Sequence, residues 1–405
     1  MAEAALSPID RIAASELMRK AIAQIRATDA ETLADMRAAT TIPSPSFGER
    51  DRAAWFIQRI RDSGLRDVVC DDAGNVLAHW PGAAPDAAPV VVAAHLDTIF
   101  PRDTVLDVRD ENGRILAPGI ADNARGLAVT LCVARVLVAQ SIVTHRPIVF
   151  AATVCEEGTG DLAGVKHLFA AQRPLARASA FIALDGAGSR RIVVRAVGSR
   201  RYRITFDGPG GHSWADRGTP NPADALGHAV ARFGRIRLAA EPAWAVTVAR
   251  VGGGTSVNAI PPSAWLELDV RAESTAVLDE LVARVETILG EAAAEAGAGR
   301  RRGTAAICVT AEMIGDRPAA DMALDSALVR IARNATRAIG ARAELVASST
   351  DANVPMALGI PSIAIGGGGE SGGTHTAGEW YSNECGPDGI ARALLIITGA
   401  ADLRE

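Results

Sequence analysis

Only seven histidines occur in the 405 residues, and two of them stand where metal-dependent chemistry could be built. His95 ends an apolar run and is followed by Leu96-Asp97. His375 closes a glycine-crowded stretch, 366–375. Acids occupy comparable positions: Glu156-Glu157 after a second apolar run, Asp185 after a third, and Asp122 in Gly-Ile-Ala-Asp-Asn just before a helical pattern. Singly these residues say little. An acid at a strand end is ordinarily a cap, and Glu156-Glu157 could simply open a helix, whose dipole favours carboxylates there. Their joint occurrence after successive strands is what points to chemistry. Two imidazoles with three carboxylates suit zinc, or a similar borderline ion, better than calcium or magnesium. A carboxylate shared by two ions would leave each about four ligands, counting a shared water. Paired ions at roughly 3.5–4 Å clamp both a nucleophile and a developing oxyanion. Of two adjacent glutamates, one can bind metal while the other faces the water as general base. Asp97 is expected to accept the spare N–H of His95 and fix its tautomer.

Ligands so far apart in sequence must be gathered by a sheet, because an open α/β sheet converges side chains at the carboxyl ends of its strands. The pattern supplies one. PVVVAA (89–94), PIVFAATV (147–154) and 180–184 read as buried strands, with helices over 125–140 and 161–171 between them. The stretch up to about residue 65 reads as helical, broken at Thr-Ile-Pro-Ser-Pro (41–45). Near Gly198 the style changes to strand 202–206, helix 222–233, strands 245–251 and 264–271, helix 275–296 and strand 305–311, the split βαβ plan of a ferredoxin-like unit. Helix 326–339, strand 362–365 and a helix from Pro387 restore the first style. The expected fold is α/β: a mixed sheet flanked by helices, formed by 1–198 and 314–405, with an α+β domain inserted at 199–313.

Composition excludes several classes. A net charge of -5, a pI near 5.9 and 4% aromatic residues give no basis for nucleic-acid binding. No apolar run reaches the ~18 residues needed to cross a bilayer, and the acidic, discontinuous N-terminal stretch is no secretory signal. Five scattered cysteines without a CxxC pair suit a reduced cytoplasmic protein. VGGGTS (251–256) lacks the Lys-Ser/Thr of a phosphate loop, and no GxSxG frames Ser213 as a nucleophile. His79, His145, His167 and His228 fit no ligand pattern.

HLDT (95–98), GIADNARG (119–126), EEGTGDLAG (156–164), ALDG (183–186), GGHSW (210–214) and GGTHT (372–376) resemble the M20 metallopeptidases and related amidohydrolases, over nearly the whole chain past residue 40. The resemblance implies a dizinc catalytic domain, of the dizinc exopeptidase type, and a smaller lid that mediates homodimerisation. It implies that His95 and Asp185 bind one ion, Glu157 and His375 the other, and Asp122 bridges them. Glu156 would be the general base, Asp97 the residue orienting His95, and His212 a lid histidine that stabilises the oxyanion across a dimer. Asn258, Arg271 and Arg317 resemble residues that hold a substrate carboxylate, a task the planar guanidinium fork suits. For both arginines an ordinary salt bridge is the alternative. The chain departs from the pattern in Asn123-Ala124-Arg125, where many members have lysine, and in the glycine excess before His375.

The expected function is metal-dependent hydrolysis of an amide in a small carboxylate-bearing substrate, foremost by an exopeptidase on short peptides. An N-acyl amino acid deacylase is the alternative. Two divalent ions, zinc before cobalt or manganese, are the expected cofactors. An M28-type aminopeptidase has a similar ligand order but lacks an insertion such as 199–313. A metal-free binding module would not need all five ligand positions and the base.

Overall fold

The computed structural model describes residues 7–404. The chain divides into two compact units, one formed by Met1–Ala196 with Asp321–Glu405 and the other by Val197–Ala320.

The first unit is built on a mixed sheet. Its hydrogen-bonded order is Val68–Cys70, Val76–Trp80, Ile148–Thr153, Val90–His95, Ala180–Leu184, Ser362–Ile365 and Arg191–Ala196, with Glu344–Ser348 paired to the last of these. The four central strands run parallel. Every residue of Val90–His95 and Ile148–Thr153 is buried, as a strand covered on both faces requires. Successive side chains point to opposite faces, so one run feeds two cores. Val90, Val92, Ala94, Phe150 and Leu184 join Leu127, Leu131, Phe56 and Leu394 on one side. Val91, Ala93, Val149, Ala151 and Phe181 join Leu162, Val165 and Leu168 on the other. Each fully buried aliphatic side chain contributes about 1.5–3 kcal/mol relative to exposure, and these two layers fix the strand ends that carry the acids and His95.

The N-terminal helices are Pro8–Ala14, Glu16–Ala27, Asp29–Thr40 and Arg50–Asp62. Ser7 and Ser15 cap the first two with side-chain hydrogen bonds. The break at 41–45 is a loop that reaches the sheet. The helix expected over 161–171 is shorter, Ala163–Leu168, after a single 3-10 turn at Gly158–Gly160. Part of 366–375 is not loop: Glu370–Gly372 pairs with Trp380–Ser382, which pairs with Arg114–Leu116.

The second unit follows the strand-helix-strand-strand-helix-strand plan. Its antiparallel order is Trp244–Gly253, Ser263–Ala272, Gly198–Asp207, Cys308–Arg317. Helices Pro222–Phe233 and Thr275–Ala296 pack on one face through Ala225, Ala229, Leu281, Val285 and Leu289. Strand Ser263–Ala272 alternates buried with half-buried residues along its length. The last strand lies beyond the expected 305–311 because its register is set by Gly198–Asp207, from Cys308↔Asp207 to Arg317↔Ser199. Among the described residues no helix is long and apolar enough to cross a membrane, and all five cysteines are free thiols.

Candidate active site

The four parallel strands deliver their carboxyl ends to one edge. His95 is the last residue of Val90–His95, Glu156 and Glu157 lie just past Thr153, and Asp185 directly follows Leu184. His375 arrives from Ser362–Ile365 by way of the glycine run and the strand Glu370–Gly372. Asp122 is placed from a different direction, by the start of helix Ala124–Ala139. Asn123 caps that helix by accepting the Gly126 N–H (3.1 Å) and also accepts the Gly186 N–H (3.2 Å). Its Nδ2 donates to the Leu184 carbonyl at 2.9 Å. Gly126 is needed for this approach, since a Cβ there would lie 2.3 Å from both the Leu184 oxygen and Asn123 Oδ1.

Five expected ligands and the expected base are thereby brought together. Three overlapping groups have donor atoms mutually within 4.8 Å: His95, Asp122 and Asp185; Asp122, Glu157 and His375; and His95, Glu156 and Glu157. The two oxygens of Asp122 are divided between the imidazoles. Oδ1 is 3.0 Å from His95 Nε2 and Oδ2 is 3.1 Å from His375 Nε2. His375 Nε2 is also 2.9 Å from Glu157 Oε1.

The electrostatics are those of a concentrated acid cluster. Burial pushes the Asp185 carboxyl up to about 7, and the nearby Asp122 charge adds to the rise. Burial would also raise Asp122, yet hydrogen bonds from His375 and His95 hold it far below the usual carboxylate range. His375 is raised to about 10, by its hydrogen bonds to Asp122 and then Glu157. Burial opposes the charged form of His95, but Asp122 and Asp97 carry it well above its ordinary value. Imidazole nitrogens and carboxylate oxygens crowded this closely are a donor set that fits a pair of divalent cations with zinc-like preferences.

A supporting layer holds the cluster. Asp97 is fully buried. Its carboxylate accepts the N–H groups of Glu156 and Glu157, both at 2.9 Å, and the Ser46 hydroxyl at 2.6 Å. His95 Nδ1 is nearer the Asp97 main-chain carbonyl (3.0 Å) than its carboxylate (3.5 Å). The His95 ring thus meets Asp97 chiefly through the main-chain carbonyl and not, as the sequence suggested, through the carboxylate, which serves the two glutamates. The 41–45 break and the residues after it clamp the same loops. Ser44 Oγ and Arg52 Nη1 both donate to the Leu96 carbonyl, and Glu49 accepts the Cys155 N–H at 3.0 Å. Glu379, also fully buried, accepts N–H groups from Gly119, Ala121 and Asp122, and burial pushes its carboxyl up to about 7. Arg125, in the segment that departs from the lysine pattern, is buried and donates to the carbonyls of Gly367 and Gly386. It anchors the glycine run that leads to His375. Nothing in the sequence pattern singled out Ser46, Glu49, Arg52 or Glu379, because the partners that give them their places are far away along the chain.

The remaining expected residues belong to the second unit. His212 sits in a two-residue strand paired with Ala259–Ile260. Its Nδ1 accepts the N–H groups of Trp214 (3.1 Å) and Ala215 (3.3 Å), which leaves the proton of the neutral ring on Nε2. The Asn258 carbonyl accepts the Ser213 N–H, and its side chain accepts the Ser256 hydroxyl. Arg271 Nε donates to Asp269 at 2.7 Å, within its own strand. Arg317 is buried at the end of the last strand.

Carboxylates and imidazoles gathered where the parallel strands end place the chain among the α/β proteins whose functional groups lie in the strand-end crevice. Within that class the chain is a member of peptidase family M20/M25/M40, which it matches over residues 91–398. It is 27% identical over 288 residues to the cytosol non-specific dipeptidase of Escherichia coli, an alignment covering 63% of this chain but only 56% of that relative. Among solved structures it resembles a tripeptidase from Staphylococcus aureus, with a TM-score of 0.77 at 22% identity, covering 91% of this chain and 98% of the other. A hydantoinase/carbamoylase-family amidase from Burkholderia vietnamiensis gives a TM-score of 0.70 at 20% identity, covering 92% and 97%. These two likenesses establish the shared fold.

Proposed function

We propose that the protein is a dinuclear metallohydrolase that cleaves the amide bond of short peptides bearing a free carboxylate, as an exopeptidase. The observation that carries this reading is the division of Asp122 between the two imidazoles. In this assignment His95 and Asp185 hold one cation, Glu157 and His375 the other, and Asp122 bridges. Zinc is the first choice, with cobalt and manganese as substitutes. Bound there, the cations would polarise the scissile carbonyl and acidify a water. Glu156 lies in a donor group with His95 and Glu157, which places it close enough to the cation pair to serve as the base. It takes a proton from the attacking water and returns it to the leaving amine. His212, with its proton on Nε2, donates a hydrogen bond to the oxyanion, reaching the reaction from the second unit of a homodimer in which that unit is both lid and dimerisation surface. Asn258, Arg271 and Arg317 receive the substrate carboxylate. Free thiols are consistent with a cytoplasmic setting.

The peptidase assignment draws its support from the dipeptidase relative. Glu156→Ala should retain the metal content of the wild type and lose turnover, and retained turnover would refute the mechanism. A panel of free di- and tripeptides set against acetylated and carbamoylated amino acids checks the substrate class. Turnover confined to the acylated compounds would replace the exopeptidase with an N-acyl amino acid deacylase.

A further inference from the structure

We propose that Glu379 is a positioning residue for the cation pair, fixing how Asp122 divides its two oxygens. The inference rests on the reading of Asp122 as the bridging ligand, and it adds a residue to which no role has been given.

Glu379 is fully buried, and a buried carboxylate is costly unless it is well satisfied. Here its side chain accepts hydrogen bonds from backbone N–H groups of one loop. Oε1 accepts from Ala121 at 2.8 Å and Asp122 at 2.9 Å, and Oε2 accepts from Gly119 at 2.9 Å. Three N–H donors within residues 119–122 converge on the carboxylate, much as a backbone nest holds an anion, but here the loop grips a side chain. Gly119 has a φ of +75°, in the left-handed region that favours glycine. A Cβ added there would stand 2.9 Å from Thr98 Cγ2. The loop is therefore shaped so that its N–H groups turn inward to Glu379 while the Asp122 side chain turns to the imidazoles.

The main chain of Glu379 extends the link. Its N–H donates to the Thr376 carbonyl at 3.2 Å, closing the turn that directly follows His375, and its carbonyl accepts the Ala117 N–H at 3.1 Å. The next residue opens strand Trp380–Ser382, paired with Arg114–Leu116. Glu379 thus joins the segments bearing Asp122 and His375, which face each other at 3.1 Å. Hydrophobic or neutral packing could hold such loops together. Only an acceptor with two oxygens satisfies three N–H groups on one loop and fixes its rotation about Asp122.

The test uses Glu379→Gln, which keeps size and one acceptor oxygen but turns an amide NH₂ toward an N–H donor. Three measurements are made on the whole protein: melting of the metal-free form, zinc affinity by competition with a chelator, and the visible spectrum after loading with cobalt. The expected result is a metal-free form that still melts cooperatively, weakened no more than one orphaned N–H donor requires, with zinc affinity reduced about 10–100-fold, the range for losing a group that orients a ligand, and altered cobalt bands. Glu379→Asp, which restores the charge one methylene short, should recover part of the affinity. Wild-type zinc affinity and cobalt bands in Glu379→Gln would overturn the proposal. So would an affinity loss in both variants with the cobalt bands of the wild type, which marks a merely structural residue. Asp122→Ala separates the two levels. If it binds cobalt as the wild type does, the bridging reading itself falls; if it fails to bind while Glu379→Gln is normal, only the role of Glu379 falls.

Discussion

Replacing Asp97 by alanine should be among the most damaging single changes near the site, even though this side chain is not among the proposed cation ligands. The substitution removes the acceptor of two buried main-chain N–H groups, those of Glu156 and Glu157 at 2.9 Å each. A buried donor left without a partner costs about 1–3 kcal/mol, so the pair amounts to roughly 2–6 kcal/mol. Ser46 adds little, because its hydroxyl already has a second acceptor in the Glu157 carbonyl at 3.2 Å. With each kcal/mol worth roughly 2 °C in a unit as large as Met1–Ala196 with Asp321–Glu405, melting should fall by about 4–12 °C. Asp97→Asn preserves shape and one oxygen, so it should lose only about 1–3 kcal/mol. The charge leaves a separate signature. Burial favours the neutral acid, but His95, then the Ser46 hydroxyl and the Glu157 N–H, hold the Asp97 carboxyl below the usual carboxylate range. A group depressed in the folded state contributes stability that is complete above its unfolded pKa, near ~3.9, and is lost as pH falls through the folded value. The gap between wild type and Asp97→Asn should therefore narrow below about pH 4. Both variants are to be unfolded in urea with a chelator present, across pH 3–8. Asp97→Ala within ~0.5 kcal/mol of the wild type, or parallel acid limbs for wild type and Asp97→Asn, would refute the reasoning.

Other consequences can be checked separately. Asp35 is buried and pairs with Arg59 and Arg135, each at 2.7 Å. Breaking a buried pair costs about 3–5 kcal/mol, and because Arg59 keeps about a third of its side chain exposed, Asp35→Ala should cost nearer ~2–4 kcal/mol by urea denaturation. His212→Ala should lower kcat by about 10²–10³ with metal content unchanged, as for loss of one oxyanion donor; an equal loss of metal would place that histidine in the wrong role. Burial, aided by the Glu49 charge, pushes the Cys155 thiol up to about 12, and Cys132 is buried as well. A thiol reagent at pH 7.5 should label Cys70, Cys308 and Cys385 in the native protein and reach the other two only after unfolding, as read by mass spectrometry.

The chain shows its central strands plainly because PVVVAA and PIVFAATV are covered on both faces, and such strands read as unbroken apolar runs. The acids after them could be picked out because α/β sheets present functional groups at that edge. Elements at the margins were harder to read. Arg191–Ala196 carries arginines at both ends, and Glu344–Ser348 is only partly buried, so neither stands out as a strand. The strand Gly198–Asp207 begins well before the expected 202 because Arg200, Arg201 and Arg203 are matched by Asp279, Asp269 and Glu267. Three arginines within residues 200–203 hide a strand from any count of apolar residues, but not from the sheet that pairs it.

The same distinction explains which site residues were legible. His95, Asp122 and His375 announce themselves by type, since few other side chains can bind a cation. Ser46, Glu49, Asp97 and Glu379 act by accepting or donating hydrogen bonds to main-chain atoms or neighbouring side chains, and any polar residue in a loop has that capacity in principle. What makes them specific is burial at a particular place, which depends on the whole fold. Asp97 shows how the two kinds of information meet. Its spacing from His95 suggested one task, orienting an imidazole, but the carboxylate also gathers the chain at Glu156 and Glu157. The proposed ligand Glu157 and the proposed base Glu156 are therefore aimed by a single buried group. A change at Asp97 should disturb cation binding and proton transfer together, whereas a change at Glu156 should disturb proton transfer alone.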